Sequence, residues 1–243
     1  MSKRVVDQAE GLRRLLAPPS THVVAVAGMS RGEGTTTVAM GLAAALAVQG
    51  REVLVLDEHA PRAGSAAVLA RGDGAVDVKP AKGELLSHDF DPRSWSPGGV
   101  VVIDAALDDE GRLSATAEAA DDLLLVLQPR AASITAAYAG VKRLHYAHGL
   151  QQARFLVNAA PDERGALQIM ANLSAAGSRY LAVSLSPAGW LHADPRLEDA
   201  RRLGRTVVEA FPASPAALDL RRVASALLHW PRQSPAPRAV AAA

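Results

Sequence analysis

The 243-residue chain predicts an α/β fold, a doubly wound, mainly parallel sheet with helices on both faces. Three observations carry this expectation. Val/Leu/Ile runs of strand length alternate with segments of helical pattern. The runs are continuously apolar, as strands covered on both faces must be. A glycine-rich turn joins the first run directly to an alanine-rich helical segment.

In chain order, residues 5–16, "VVDQAEGLRRLL", predict a short amphipathic helix closed by the breaker Ala17-Pro18-Pro19. Residues 1–19 are thus a helix and a linker ahead of one α/β domain over 20–230. "HVVAVAG" predicts a buried strand, and 36–49 a helix ending at Gly50. "REVLVLDE" is the next strand. Residues 60–98 scatter Gly, Asp, Pro and Ser and predict only a short irregular connection. "GVVVIDAA" and "DDLLLVLQP" are strands, and 133–148 is a helix stopped by Gly149. "ARFLVNAAP", a helix over 163–176 and the strand "YLAVSLSPAG" follow, then helices near 195–203 and at 215–229. The Pro/Ala/Arg-rich tail, 231–243, predicts disorder.

Charge and composition narrow the function. The 26 basic and 25 acidic residues leave a net charge of +1, without the electrostatic footprint of a nucleic-acid binder. There is no cysteine, so disulfides, thiolate metal sites and cysteine nucleophiles are excluded. The histidines show no metal-ligand spacing. The polar N-terminus and the lack of a membrane-length apolar run point to the cytoplasm.

The chemistry centres on "GMSRGEGTTT", residues 28–37. A strand, a glycine loop and a helix N-terminus converge backbone N–H groups on one point and add the helix dipole, which suits an anion. Gly32 and Gly34 permit close approach of a phosphate. Thr36, with Thr37 beside it, stands where a Mg²⁺-binding hydroxyl belongs. Asp57 and Asp104 end two strands, and such carboxylates face the crevice that holds the loop. One can reach a bound Mg²⁺ and the other its water shell.

The order of these pieces resembles the MinD/ParA class of P-loop ATPases and, within it, the flagellar-number regulators FlhG and FleN. Four stretches between residues 7 and 231 carry the resemblance. They are "DQAEGLR", the run from "VAVAGMSRGEGTTT" to "VLVLDE", "SITAAYAGVKRLHYAHGLQQARFLVNAA", and "GRTVVEAFPASPAA" with the terminal "LLHWP". It implies ATP and Mg²⁺ as cofactors. Gly32, Gly34 and Thr35 would form the phosphate cradle, Thr36 would meet Mg²⁺ and Thr37 the α-phosphate. Asp57 and Asp104 would be the metal-side carboxylates, and Asn158 would contact adenine. It also implies a partner site at Asp7, Gln8, Leu12 and Arg13 for an FlhF-like GTPase. A flagellar switch protein or a transcriptional activator would meet the domain surface.

The departures all remove charge or catalytic groups. Thr35 replaces the loop lysine of "KGGVGKT", and Ser30 replaces the signature lysine. His59 replaces the second aspartate of "DAD", which positions the attacking water. Phosphoryl transfer rests on positioned positive charge and an oriented water, so efficient ATP hydrolysis is not expected. Three readings stay open. They are a regulator acting through protein contacts, an ATP-driven switch in which Arg31 stands in for the signature lysine, and a localisation factor resembling CpaE or BcsQ. A homodimer is compatible with the class. The terminal helix places Leu220, Val223, Ala224, Leu227 and Trp230 on one face, expected to cover the sheet. Weak peripheral contact with the inner membrane is the alternative role for it.

Overall fold

The computed structural model describes residues 20–59, 76–81, 90–177, 179 and 183–231. The segment expected to form the N-terminal helix, with Asp7, Gln8, Leu12 and Arg13, and the tail from residue 232 lie outside the described residues.

The strands are β1 (His22–Gly28), β2 (Val53–Asp57), β3 (Val76–Pro80), β4 (Val100–Asp104), β5 (Asp122–Leu127), β6 (Gln152–Ala160) and β7 (Ser184–His192). They form one seven-stranded sheet in the order β3-β2-β4-β1-β5-β6-β7. Every pairing is parallel. The helices are α1 (Thr35–Val48), α2 (Ala115–Glu118), α3 (Ala131–His148), α4 (Glu163–Ala176), α5 (Arg196–Arg202), α6 (Val207–Ala210) and α7 (Pro215–Leu227).

Alternate residues of each central strand serve opposite faces. Val24 and Val26 of β1 join a core with Leu42 and Leu46 of α1 and Leu220 and Leu227 of α7. Val23, Ala25 and Ala27 join the other core, with Val141 and Leu144 of α3 and Phe155. This is why β1 reads as a continuous apolar run. Gly41 of α1 allows α7 to lie close, since a Cβ there would overlap Leu220. The terminal helix therefore covers the sheet with Leu220, Val223, Ala224 and Leu227, all nearly inaccessible, as its apolar face requires.

One expectation is corrected. The segment over 60–98 is not merely an irregular connection, because it contributes β3, paired with β2 from Val53↔Val76 to Asp57↔Pro80. Val76 and Val78 alternate with Asp77 and Lys79, the pattern of an edge strand with one wet face, and a terminal proline is tolerated at an edge. Such a strand lacks the continuous apolar run that marks the central ones. A short 3₁₀ turn, Pro92–Ser94, follows in the same region.

The order reverses at β1, with β4 on one side and β5 on the other. A crevice opens at such a switch point, beyond the carboxyl ends of the strands. Gly28, Asp57, Asp104 and Leu127 all end their strands there.

Candidate phosphate loop and carboxylate crevice

The loop from Gly28 to Gly34 enters α1 with Gly32 at φ 81° and Gly34 at φ 83°. Both values lie in the left-handed region, where a side chain is strained. Gly34 is doubly constrained, because a Cβ would also overlap the Asn158 amide. The 14-residue helix α1 has neither a side-chain cap nor an acidic residue in its first turn. Its leading amides are therefore left for an anion. The shape matches a phosphate cradle.

Protein groups hold that shape from outside. Gln128 Nε2 donates to the Gly32 carbonyl at 2.7 Å, and Asn158 Nδ2 donates to the Glu33 carbonyl at 2.8 Å. Asn158 Oδ1 in turn accepts from the Ala159 amide at 2.9 Å. Asn158 sits where the β6–β7 register shifts, and Ala159 beside it has φ 54°. A bulge turns a side chain toward a new target, and here the target is the loop. The structure thus places the residue that resembles an adenine contact as a brace for the loop. Met29 packs on α3, where a Cβ on Gly140 would overlap it.

Neither position where the resembling pattern has lysine offers a cation to the cradle. The Thr35 hydroxyl folds back over Gly28, so closely that a Cβ on Gly28 would overlap it. Ser30 Oγ donates to Glu33 Oε1 at 2.5 Å. Arg31 and Thr37 are exposed, and Thr36 is half-buried.

The other wall is carboxylate. Asp57 and Asp104 are register partners in β2 and β4. Asp104 is fully buried, and neither of its oxygens has a hydrogen-bond partner of ordinary geometry. Burial pushes its carboxyl up to about 6; the nearby Thr36 hydroxyl and His59 oppose the rise, while Asp57 and Glu58 add to it. A buried carboxylate whose neighbours are the Thr36 hydroxyl and the His59 ring, with no full hydrogen bond, matches a cation. Asp57 accepts the His59 amide at 2.8 Å. Among the described residues, no group of three or more His, Cys, Asp or Glu side chains is arranged to hold a metal. A cation here would keep much of its water, as Mg²⁺ does.

The sequence pattern assigns no role to Glu33, Ser133, Glu58 or Ser114, which the structure brings into the site. Glu33, 2% exposed, reaches Ser133 of α3, whose hydroxyl donates to Oε2 at 2.8 Å. Glu58 accepts from the Ala106 amide at 3.0 Å and from the Ser114 hydroxyl at 2.5 Å. Burial raises the Glu58 carboxyl, against both hydrogen bonds. Glu58 therefore pins the segment after β4. The His59 ring lies 3.1 Å from the Ala105 carbonyl and 3.7 Å from Asp104 Oδ1, too far for a hydrogen bond to that carboxylate. An acid between two loop glycines, and another beside a strand-end aspartate, were the available signals.

Comparison with known proteins bears on the fold and the family. No protein-family model matches the chain. The antiactivator FleN of Pseudomonas aeruginosa is 31% identical over an alignment of 244 residues, covering 86% of this chain and 87% of that protein. The septum site-determining protein MinD of Pyrococcus horikoshii, solved with Mg-ADP, superposes with a TM-score of 0.62 at 19% identity, over 85% of this chain and 96% of that one. Aquifex aeolicus MinD superposes at 0.61 with 18% identity, over 88% and 100%. A ParA family ATPase from Chlorobium tepidum superposes at 0.60 with 15% identity, over 85% and 98%. At these identities the structural likeness establishes the fold alone.

Proposed function

The chain belongs to the FleN family within the MinD/ParA class, and on that premise we propose that it regulates flagellar number, placement and biosynthesis through protein contacts rather than an ATP cycle. One observation carries the reading: likeness to an antiactivator runs through 86% of the chain, while the loop of this chain has Thr35 and Ser30 in place of lysines. An antiactivator restrains a transcriptional activator, so an activator is the first partner for the domain surface. The N-terminal motif with Asp7, Gln8, Leu12 and Arg13 is the second contact, to an FlhF-like GTPase. No direct role with nucleic acid is proposed, in keeping with the net charge of +1. Among the described residues no helix is long and apolar enough to cross a membrane. Weak peripheral contact with the inner membrane is the lesser alternative for the terminal helix α7.

If nucleotide entered, Gly32, Gly34, Thr35, Thr36 and Thr37 would hold its phosphates, and Thr36 with Asp57 and Asp104 would hold Mg²⁺. The metal would supply neutralising charge to the phosphates. Asn158 would have to give up its bond to the Glu33 carbonyl to reach a base. An ATP-driven switch is the second reading, and the open oxygens of Asp104 favour it.

GTP turnover by the FlhF-like GTPase tests the first reading. The full chain is expected to stimulate it, and Gln8→Ala with Leu12→Ala to abolish the effect. Absence of stimulation removes the N-terminal contact. An unchanged flagellar number in cells lacking the chain removes the regulatory reading itself.

A further inference from the structure

Glu33 has no counterpart among the phosphate-site roles already assigned, and its surroundings give it one. It stands between Gly32 and Gly34 in the middle of the cradle. The side chain is 2% exposed. Its two oxygens are divided between two elements. Oε1 accepts from the Ser30 hydroxyl within the loop, and Oε2 accepts from the Ser133 hydroxyl in the first turn of α3. The Ser133 oxygen is itself fixed, accepting from the Gln128 amide at 2.8 Å. Gln128 then reaches back to the Gly32 carbonyl with its side chain. This closes a circuit running from Glu33 through Ser133 and Gln128 to Gly32. Met29 on Gly140 adds an apolar contact to the same helix.

The charge is not neutralised locally. The Arg130 guanidinium is 3.9 Å from Oε2 and 58% exposed, so solvent screens most of its attraction. The partial positive charge at the start of α3 and the two hydroxyls stabilise the carboxylate instead. A buried carboxylate is costly without its hydrogen bonds, so both hydroxyls are held where they are. The loop therefore needs no ligand to keep its shape. It also carries a carboxylate where relatives of the "KGGVGKT" pattern carry valine, with one lysine missing on either side, at Ser30 and at Thr35.

We infer that Glu33 closes this loop to nucleoside triphosphates, latching it to α3 through Ser133 and setting a negative charge beside the phosphate cradle. This rests on the degenerate-site reading above and names the residue that enforces it. Restoring a lysine at Thr35 alone would then be opposed by Glu33. Ser30 contributes by being a donor to the carboxylate rather than a cation toward the phosphates.

The test compares the full chain as wild type, Glu33→Gln and Glu33→Val. Two readouts are needed: binding of a fluorescent ATP analogue with Mg²⁺, and amide exchange over residues 28–36. Glutamine keeps the size and much of the hydrogen bonding but removes the charge. Wild type is expected to show no saturable binding up to about 1 mM, and Glu33→Gln to bind at least about tenfold more tightly, the scale expected when a nearby like charge is removed from a polyanion site. Glu33→Val is expected to raise loop exchange about tenfold while the central strands stay protected. Should it fail to fold, Ser133→Ala, which removes one donor, carries the exchange arm. Low-micromolar binding by wild type overturns the inference. So does a folded Glu33→Gln protein with wild-type affinity, or unchanged exchange in both latch variants. Stimulation of the GTPase, measured on the same samples, is expected to be unchanged. Its absence from wild type would instead remove the N-terminal contact and leave the Glu33 result standing.

Discussion

The loop after β1 and the carboxylate wall on β2 and β4 face each other across one crevice, yet they are finished differently. In the loop, Gly32 O, Glu33 O and both Glu33 carboxylate oxygens have protein partners. In the wall, Asp104 is buried with both oxygens open. The loop is braced on all of these atoms by the protein itself, whereas the wall presents a buried carboxylate without such bracing.

The largest expected effect breaks the loop side. Gly34→Val puts a β-branched residue at φ 83° and a Cβ into the Asn158 amide. Denaturant unfolding should show a loss of about 3 kcal/mol or more. A loss below about 1 kcal/mol would mean that the cradle is not held as described.

The wall should respond in the opposite direction. The Asp104 carboxyl titrates near 6 when folded, raised from 3.8. The folded protein therefore holds this proton more tightly than the unfolded chain, and stability falls as pH rises from about 4 through about 6. Asp104→Asn removes the cost of the buried charge. In EDTA at pH 7.5 it should be more stable than wild type by up to about 3 kcal/mol, a gain that fades toward pH 4. A destabilised Asp104→Asn at pH 7.5 would show that the carboxylate has a partner after all.

Smaller changes sharpen the contrast. Asn158→Ala leaves the Glu33 carbonyl without its donor and should cost about 1–2 kcal/mol, with faster amide exchange in the loop. Glu58→Gln should move stability by less than about 1 kcal/mol at pH 7, because relief of a buried charge offsets a weaker grip on Ala106 and Ser114. Faster exchange at Ala106 is its expected signature.

The parts legible in the sequence were those built from repeated local signals. β1, β2, β4 and β5 are built on continuous apolar runs, β6 on the shorter run Phe155-Leu156-Val157, and α4 spans the same residues that its pattern predicts. The edge strand β3 was not legible, because Val76 and Val78 alternate with polar residues inside a stretch rich in breakers. The positions of Gly32, Gly34, Asp57 and Asp104 around one crevice followed from their places at strand and helix ends. What Glu33 and Asn158 do was not legible, since each acts on a partner about a hundred residues away, with separations of 100 and 125. A bulge in β6 redirects Asn158, and no local pattern announces it.

On the reading proposed above, the fold keeps the shape of a nucleotide switch without the switch. Equilibrium binding of MgATP to the full wild-type chain, followed on the same sample by sedimentation to read its oligomeric state, tests it most directly. The account predicts no saturable binding at physiological ATP and an oligomeric state that ATP does not change. Tight binding coupled to ATP-dependent dimers would contradict it.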